Sequence, residues 1–198
     1  MAKETGSRQQ HMRQLVAQQA ARLIAEGGAD YASAKRKVAR QLGLEDTHCL
    51  PGNAEIQQEL RLYQEIYLGE EQPEQVRQLR VDALATMRLL QQFRPYLAGS
   101  VLDGTAGRFS ETDIYLFADS DKDVEMFLLN SKIPYQSREK NCHINGERRK
   151  VPVFALEGPH GVLLLSVYSE EESRRNLFNG NACAGIAEVE VLLSNPTI

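Results

Sequence analysis

Residues 93 to 117 read FRPYLAGSVLDGTAGRFSETDIYLF, and the punctuation of this stretch decides the fold. Pro95 stops the helical pattern before it, since proline supplies no backbone N–H and its ring clashes with the preceding turn. The apolar run Tyr96-Leu97-Ala98 then leads into Gly99-Ser100, and a loop containing Gly104, Gly107 and Ser110 follows. Asp113 opens a second apolar run, Ile114 to Phe117. Upstream of Pro95 the apolar residues recur at helical spacing. Downstream, short runs bounded by turn residues predict strands. Leu97 to Leu102 and Asp113 to Phe117 are therefore expected to be the first two strands of a sheet.

Working back from Pro95, four amphipathic helices are expected. Met12, Val16, Ala20 and Leu23 stripe a helix from Gln9 to Ala25, stopped by Gly27-Gly28 after a polar, frayed start at residues 1–8. Asp30 or Ser33 caps a second helix with Tyr31, Ala34, Val38 and Leu42 along one side. Thr47 to Gly52 reads as a loop. Asn53 is expected to cap a third helix carrying Ile56, Leu60, Tyr63 and Tyr67. Pro73 suits the first turn of a fourth, striped by Val76, Leu79, Ala83, Met87 and Leu90.

Working forward, Ser120 is placed to cap a helix to Asn130, with Asp121 and Asp123 in the first turn where the macrodipole favours acids. Ile133 to Gln136 is expected to be a short strand. Asn145-Gly146 lies between Cys142-His143-Ile144 and Arg149 to Leu156, a two-residue hairpin signal. Gly158-Pro159-His160-Gly161 turns the chain into the apolar strand Val162 to Tyr168. A polar helix or loop, Ser169 to Asn181, precedes a closing helix near Ala182 to Leu193. The expectation is an α+β fold: a helical N-terminal region over 1–70, then a domain over 71–198 with four or five strands in a mixed or antiparallel sheet flanked by helices.

At 198 residues the chain is long enough to bury a real core. It is 42% hydrophobic with a net charge of −4, which excludes a chain coated in basic surface for nucleic acid but leaves room for a local patch. No apolar run reaches the roughly 20 residues a membrane span requires, and no apolar signal segment opens the chain. Three distant cysteines, Cys49, Cys142 and Cys183, predict no disulfide framework, so a cytoplasmic address is expected. His48-Cys49 and Cys142-His143 lack the ligand spacing of a zinc site.

A strand, a Gly-Ser turn, a polar loop and a strand opened by an acid together resemble the signature of the DNA polymerase beta-like nucleotidyltransferase superfamily. The resemblance runs from Phe93 to Tyr168 and rests on Gly99, Ser100 and Asp113. It implies a site that binds a nucleoside triphosphate with Mg²⁺ and transfers the nucleoside monophosphate to an acceptor hydroxyl. Such transfer depends on metal ions bridging the phosphates, and two ions about 3.5–4 Å apart need carboxylates at i and i+2 on one strand face. In the family a second carboxylate stands two residues after the first; here that residue is Tyr115. Glu111-Thr112-Asp113 supplies an i, i+2 pair in a shifted register, so Asp113 and Glu111 are the candidate catalytic and metal residues. The family's third acid comes from a later strand, where this chain offers Ser166, with Glu157 at the end of the strand before. Gly99, Ser100, Arg88 and Arg108 are the candidate nucleotide-binding residues.

Two alternatives stand beside transfer. One is a catalytically degenerate member that kept the fold as a binding or regulatory protein for a nucleotide, RNA or protein; Tyr115 and Ser166 favour it. The other is RNA contact through Lys35, Arg36, Lys37 and Arg40 on the second helix, or through the 138–150 hairpin with Arg138, Lys140, Arg148, Arg149 and Lys150. The amphipathic N-terminal helices also leave an oligomer open.

Overall fold

The computed structural model of the chain describes residues 2–44, 50–69, 71–144, 147–169 and 182–194. They form two compact units, residues 1–73 with 107–109, and residues 74–106 with 110–198.

The first unit is helical. Helix α1 (Ala2–Gly27), α2 (Tyr31–Gln41) and α3 (Asn53–Tyr67) bury Val16, Ala17, Ala20, Ala21, Ala34, Val38, Ile56 and Leu60 in one apolar cluster. Small residues on α1 let the helices approach closely, while the branched and long side chains fill the space between them. The α1 helix reaches back through residues 2–8, which sequence alone suggested would fray. Asp30 caps α2, its Oδ1 accepting from the N–H groups of Ala32 and Ser33 at 3.0 Å each. The cap of α3 is Gly52 rather than Asn53. Glu55 reaches back to accept the Gly52 N–H at 2.7 Å, while Asn53 Oδ1 accepts from Lys35 Nζ at 2.9 Å. Arg13 ties α1 to α3 through a forked contact with Glu55, at 2.6 to 3.0 Å. Residues 45–49, including His48 and Cys49, lie outside the described residues.

The second unit is α+β. Helix α4 (Glu71–Leu89, with Pro73 in its first turn) leads through a 3₁₀ turn (Gln91–Phe93) into strand β1 (Tyr96–Ala98). Helix α5 (Gly99–Asp103), β2 (Thr112–Phe117) and α6 (Asp121–Asn130) follow. The long strands β3 (Gln136–Ile144) and β4 (Glu147–Glu157) precede β5 (Val162–Tyr168), β6 (Cys183–Ala184) and α7 (Ile186–Ser194). The six strands are ordered β3-β4-β5-β2-β1-β6, one or two more than expected. Among the described residues only β2 and β5 pair in parallel.

Three expectations are corrected. The strand expected over Leu97 to Leu102 ends at Ala98, because Gly99 at φ +71° turns the chain into α5. That turn buries Val101 completely and presents the carbonyls of Val101 and Leu102 to Arg80, whose Nε and Nη2 donate to them at 2.9 and 2.8 Å. Ile133 to Gln136 is not a strand of its own. Ile133 packs against the core as the chain leaves α6, its N–H donating to Leu128 O at 2.9 Å, and β3 starts only at Gln136. The extra strand is the two-residue β6, paired with β1. The strands flanking Asn145-Gly146 pair antiparallel from Ile144 opposite Glu147 onward, although the turn itself, like residues 170–181, lies outside the described residues.

One face of the sheet carries the main core. Val76, Leu79 and Met87 of α4, Leu90 just beyond it, Val124 and Leu128 of α6, and Val189 of α7 pack on Leu97, Ile114, Leu116, Phe154, Leu163 and Leu165. Alternation sends the intervening residues of β2, Asp113, Tyr115 and Phe117, to the second face. There Phe117, Val151 and Tyr168 form a smaller buried cluster, with Tyr96, Tyr115 and Cys142 against it.

The β4–β5 connection is anchored to α4. Asp82, almost fully buried, accepts the His160 backbone N–H at 3.0 Å and lies 3.0 and 3.1 Å from His160 Nδ1. Gly158 is required in the same turn, because a Cβ there would stand 2.5 Å from Leu163 Cδ1 and 2.8 Å from Gly161 O.

Candidate functional site

Gly99 and Asp113 meet at the end of the β1–β2 pair. Ala98 is the register partner of Asp113, so the residue after Ala98 lies beside the carboxylate. A Cβ on Gly99 would stand 3.0 Å from Asp113 Oδ2, and its φ of +71° is strained for any residue with a side chain. The loop behind it is built locally. Asp103 Oδ1 accepts from the Thr105 N–H at 2.9 Å and from the Thr105 hydroxyl, and Ser100 O accepts the Ala106 N–H at 3.0 Å. Ser100 is the second residue of α5.

Tyr115 occupies the position two residues beyond Asp113 on the same face. Its ring meets Tyr168 edge to face at 5.2 Å between centroids, and Tyr168 in turn leans on Phe117. Burial, reinforced by the Asp113 charge, holds the Tyr115 phenol well above its ordinary range. Burial does the same to Tyr168, with further contributions from Tyr115 and from a hydrogen bond with Cys142. A neutral phenol fixed in an aromatic cluster is no substitute for a second carboxylate.

Ser166 is the register partner of Tyr115 on one side and of Val153 on the other, and so belongs to the same face. It is 1% exposed, and its hydroxyl has no hydrogen-bond partner among the described residues. A buried hydroxyl left unpaired costs about 1–3 kcal/mol, so this position carries a standing demand for a polar group. Glu157, the other third-acid candidate, ends β4 opposite Val162. It lines a cavity of about 210 Å³ with Thr86, Leu89, Leu128 and Pro134.

The cations nearest Asp113 and Glu111 come from an unexpected direction. Strand β4 pairs with β5 only over Val153 to Glu157, whereas β3 pairs along its whole length with Glu147 to Ala155 of β4. Pro152, which has no N–H to offer β5, stands where β4 leaves the sheet. Beyond it the two strands continue as a free ribbon, and two-stranded ribbons twist most strongly. Cys142 and Val151 of this ribbon pack on the aromatic cluster of the second face. In a flat sheet β3 would lie about 14 Å from β2, at strand spacings of about 4.8 Å. The curled ribbon instead brings Lys140 Nζ to 3.5 Å from Asp113 Oδ1 and Arg138 Nη1 to 3.8 Å from Glu111 Oε1. Arg138 and Lys140 are two residues apart on β3, as Glu111 and Asp113 are at β2, so the two pairs match in register.

The remaining candidates lie elsewhere. Arg88, at the end of α4, is paired with Glu190 of α7 at 2.7 Å, both side chains being exposed. Arg108 belongs to the segment grouped with the helical unit and lies over the neighbouring Phe109 ring at 5.8 Å. On α2, Lys35 bonds Asn53 and Pro51 O, and Arg36 donates to Ser33 Oγ at 3.4 Å. Among the described residues no three His, Cys, Asp or Glu side chains gather as a metal site. The Glu-x-Asp and Arg-x-Lys spacings were the sequence signal for the paired charges. They pointed to each other only once the ribbon was known to curl.

The chain has no significant match among protein-family models or curated proteins. No described helix is long and apolar enough to cross a membrane.

Proposed function

We propose that the α+β unit is a nucleotidyltransferase-like domain that binds a nucleoside triphosphate with one Mg²⁺ at the Gly99–Asp113 corner, in a binding or regulatory role. The observation that carries this reading is the side-chain-free surface of Gly99 set against a half-buried carboxylate, with lysine 3.5 Å from the same carboxylate. Glycine leaves room for phosphate oxygens to approach backbone, and the acid and base nearby suit a metal-bound polyanion.

The donor set suits a single ion. Mg²⁺ is commonly held by one or two carboxylates together with substrate phosphates, and Asp113 with Glu111 are the residues that would hold it here. The ion would shield phosphate charge. Transfer to an acceptor hydroxyl by two metals needs further carboxylates on this face, and Tyr115 and Ser166 occupy those positions. That difference favours binding over transfer.

The test is calorimetric titration of ATP, GTP, CTP and UTP, with and without Mg²⁺, into the wild-type protein and Asp113→Ala. Magnesium-dependent binding lost in Asp113→Ala is the expected result. Binding indifferent to both would move the nucleotide away from this corner, and no binding by any nucleotide would refute the reading.

A further inference from the structure

We infer that Arg138 and Lys140, on the curled β3–β4 ribbon, are the polyphosphate-binding cations of this site, held in reserve by Glu111 and Asp113. The inference rests on the nucleotide-binding reading for the identity of the ligand but not for the chemistry of its phosphates.

Two cations two residues apart face two acids two residues apart, at 3.8 and 3.5 Å. These separations are longer than those of a tight charge-assisted hydrogen bond, about 2.7–2.9 Å. A strand-to-strand pair on the ribbon, Lys150 with Glu139, closes to 2.6 Å. The side chains of Arg138, Glu111 and Lys140 are about half exposed, at 52, 46 and 48%, so water and ligand reach them. Exposed pairs of this length contribute little to folding, roughly 0–1 kcal/mol, and exchange readily for a better anion. Their placement is nevertheless costly to build, since it takes a strand pair that leaves the sheet at Pro152 and packs Cys142 and Val151 onto the aromatic cluster.

A triphosphate offers several acceptor oxygens, and two cations at i and i+2 on one strand face present a guanidinium and an ammonium to the same polyanion. In the ligand-free protein the carboxylates compete as intramolecular anions. Neutralising an acid therefore strengthens phosphate binding, whereas neutralising a base weakens it. A purely architectural ion pair would move both in the same direction.

The probe is inorganic tripolyphosphate, titrated without metal into the wild type, Lys140→Gln, Arg138→Gln and the Asp113→Asn/Glu111→Gln double variant. Thermal unfolding of each variant checks that it is folded. Each cation variant is expected to bind about tenfold more weakly and with a shallower salt dependence, while the double variant binds about tenfold more tightly. Unchanged affinity in both cation variants, or no tripolyphosphate binding by the folded double variant, would overturn the inference. Parallel ATP titrations separate the two readings. If tripolyphosphate binding follows the charges but no nucleoside triphosphate binds more tightly, the nucleotide reading fails and the phosphate arm stands. If nucleotides bind wild type and cation variants alike, the arm fails and the nucleotide reading stands.

Discussion

Gly99 and Asp113 are so close that a single methyl group on the glycine would stand 3.0 Å from Asp113 Oδ2. That contact joins the turn that ends β1 to the acid of β2, and backbone and side chain have to be satisfied together.

Gly99→Ala therefore meets two costs at once. A left-handed alanine costs about 1–2 kcal/mol, and the carboxylate must shift as well. Denaturant unfolding is expected to show a loss of at least about 1 kcal/mol in the α+β unit. In Asp113→Gly the steric part of that loss disappears while the dihedral part remains. Additive effects of Gly99→Ala and Asp113→Gly would mean that the contact is not felt.

Asp82 and His160 form a second fixed relationship, between α4 and the β4–β5 turn. Asp82→Ala leaves the part-buried His160 backbone N–H without its acceptor and is expected to cost about 1–3 kcal/mol. His160→Ala keeps that bond and removes only a partly exposed ring, so it is expected to cost less. Equal losses in chemical denaturation would assign the anchor to the ring instead.

Alkaline titration tests the aromatic cluster. Tyr115 and Tyr168 have folded-state values raised above the unfolded value of about 10. A raised value contributes stability that is complete below the unfolded value and lost as the pH climbs toward the folded one. Stability is thus expected to fall above about pH 10, with these two phenols ionising only as the protein unfolds. Tyr115→Phe removes one source of that slope and is expected to flatten the alkaline fall. Phenolate absorbance is the readout, and ionisation of all seven tyrosines in the still-folded protein would contradict the burial.

Much of the secondary structure was legible in the chain because its causes are local. Asp30 and Ser120 announce their helices by accepting from N–H groups two or three residues on, a contact that needs no distant partner. The stripe from Val76 to Leu90 predicts a buried face whatever it packs against. Where local preference met a tertiary demand, the reading failed. Leu97 to Leu102 is apolar enough for a strand, yet Val101 is buried through a helical turn that Arg80 caps from another element. Asn53 is a good cap by type, but Lys35 claims its side chain.

By itself the sequence determined the α+β order and the absence of an acid at positions 115 and 166, because each depends on residue type and spacing along the chain. Only the tertiary structure decided what Asp113 faces. The Lys140–Asp113 and Arg138–Glu111 pairs span 27 residues each and reach across the two strands, β4 and β5, that lie between β3 and β2 in the sheet. They close because a ribbon freed from β5 at Pro152 twists more than a strand held on both sides, and no local pattern records how far a ribbon curls.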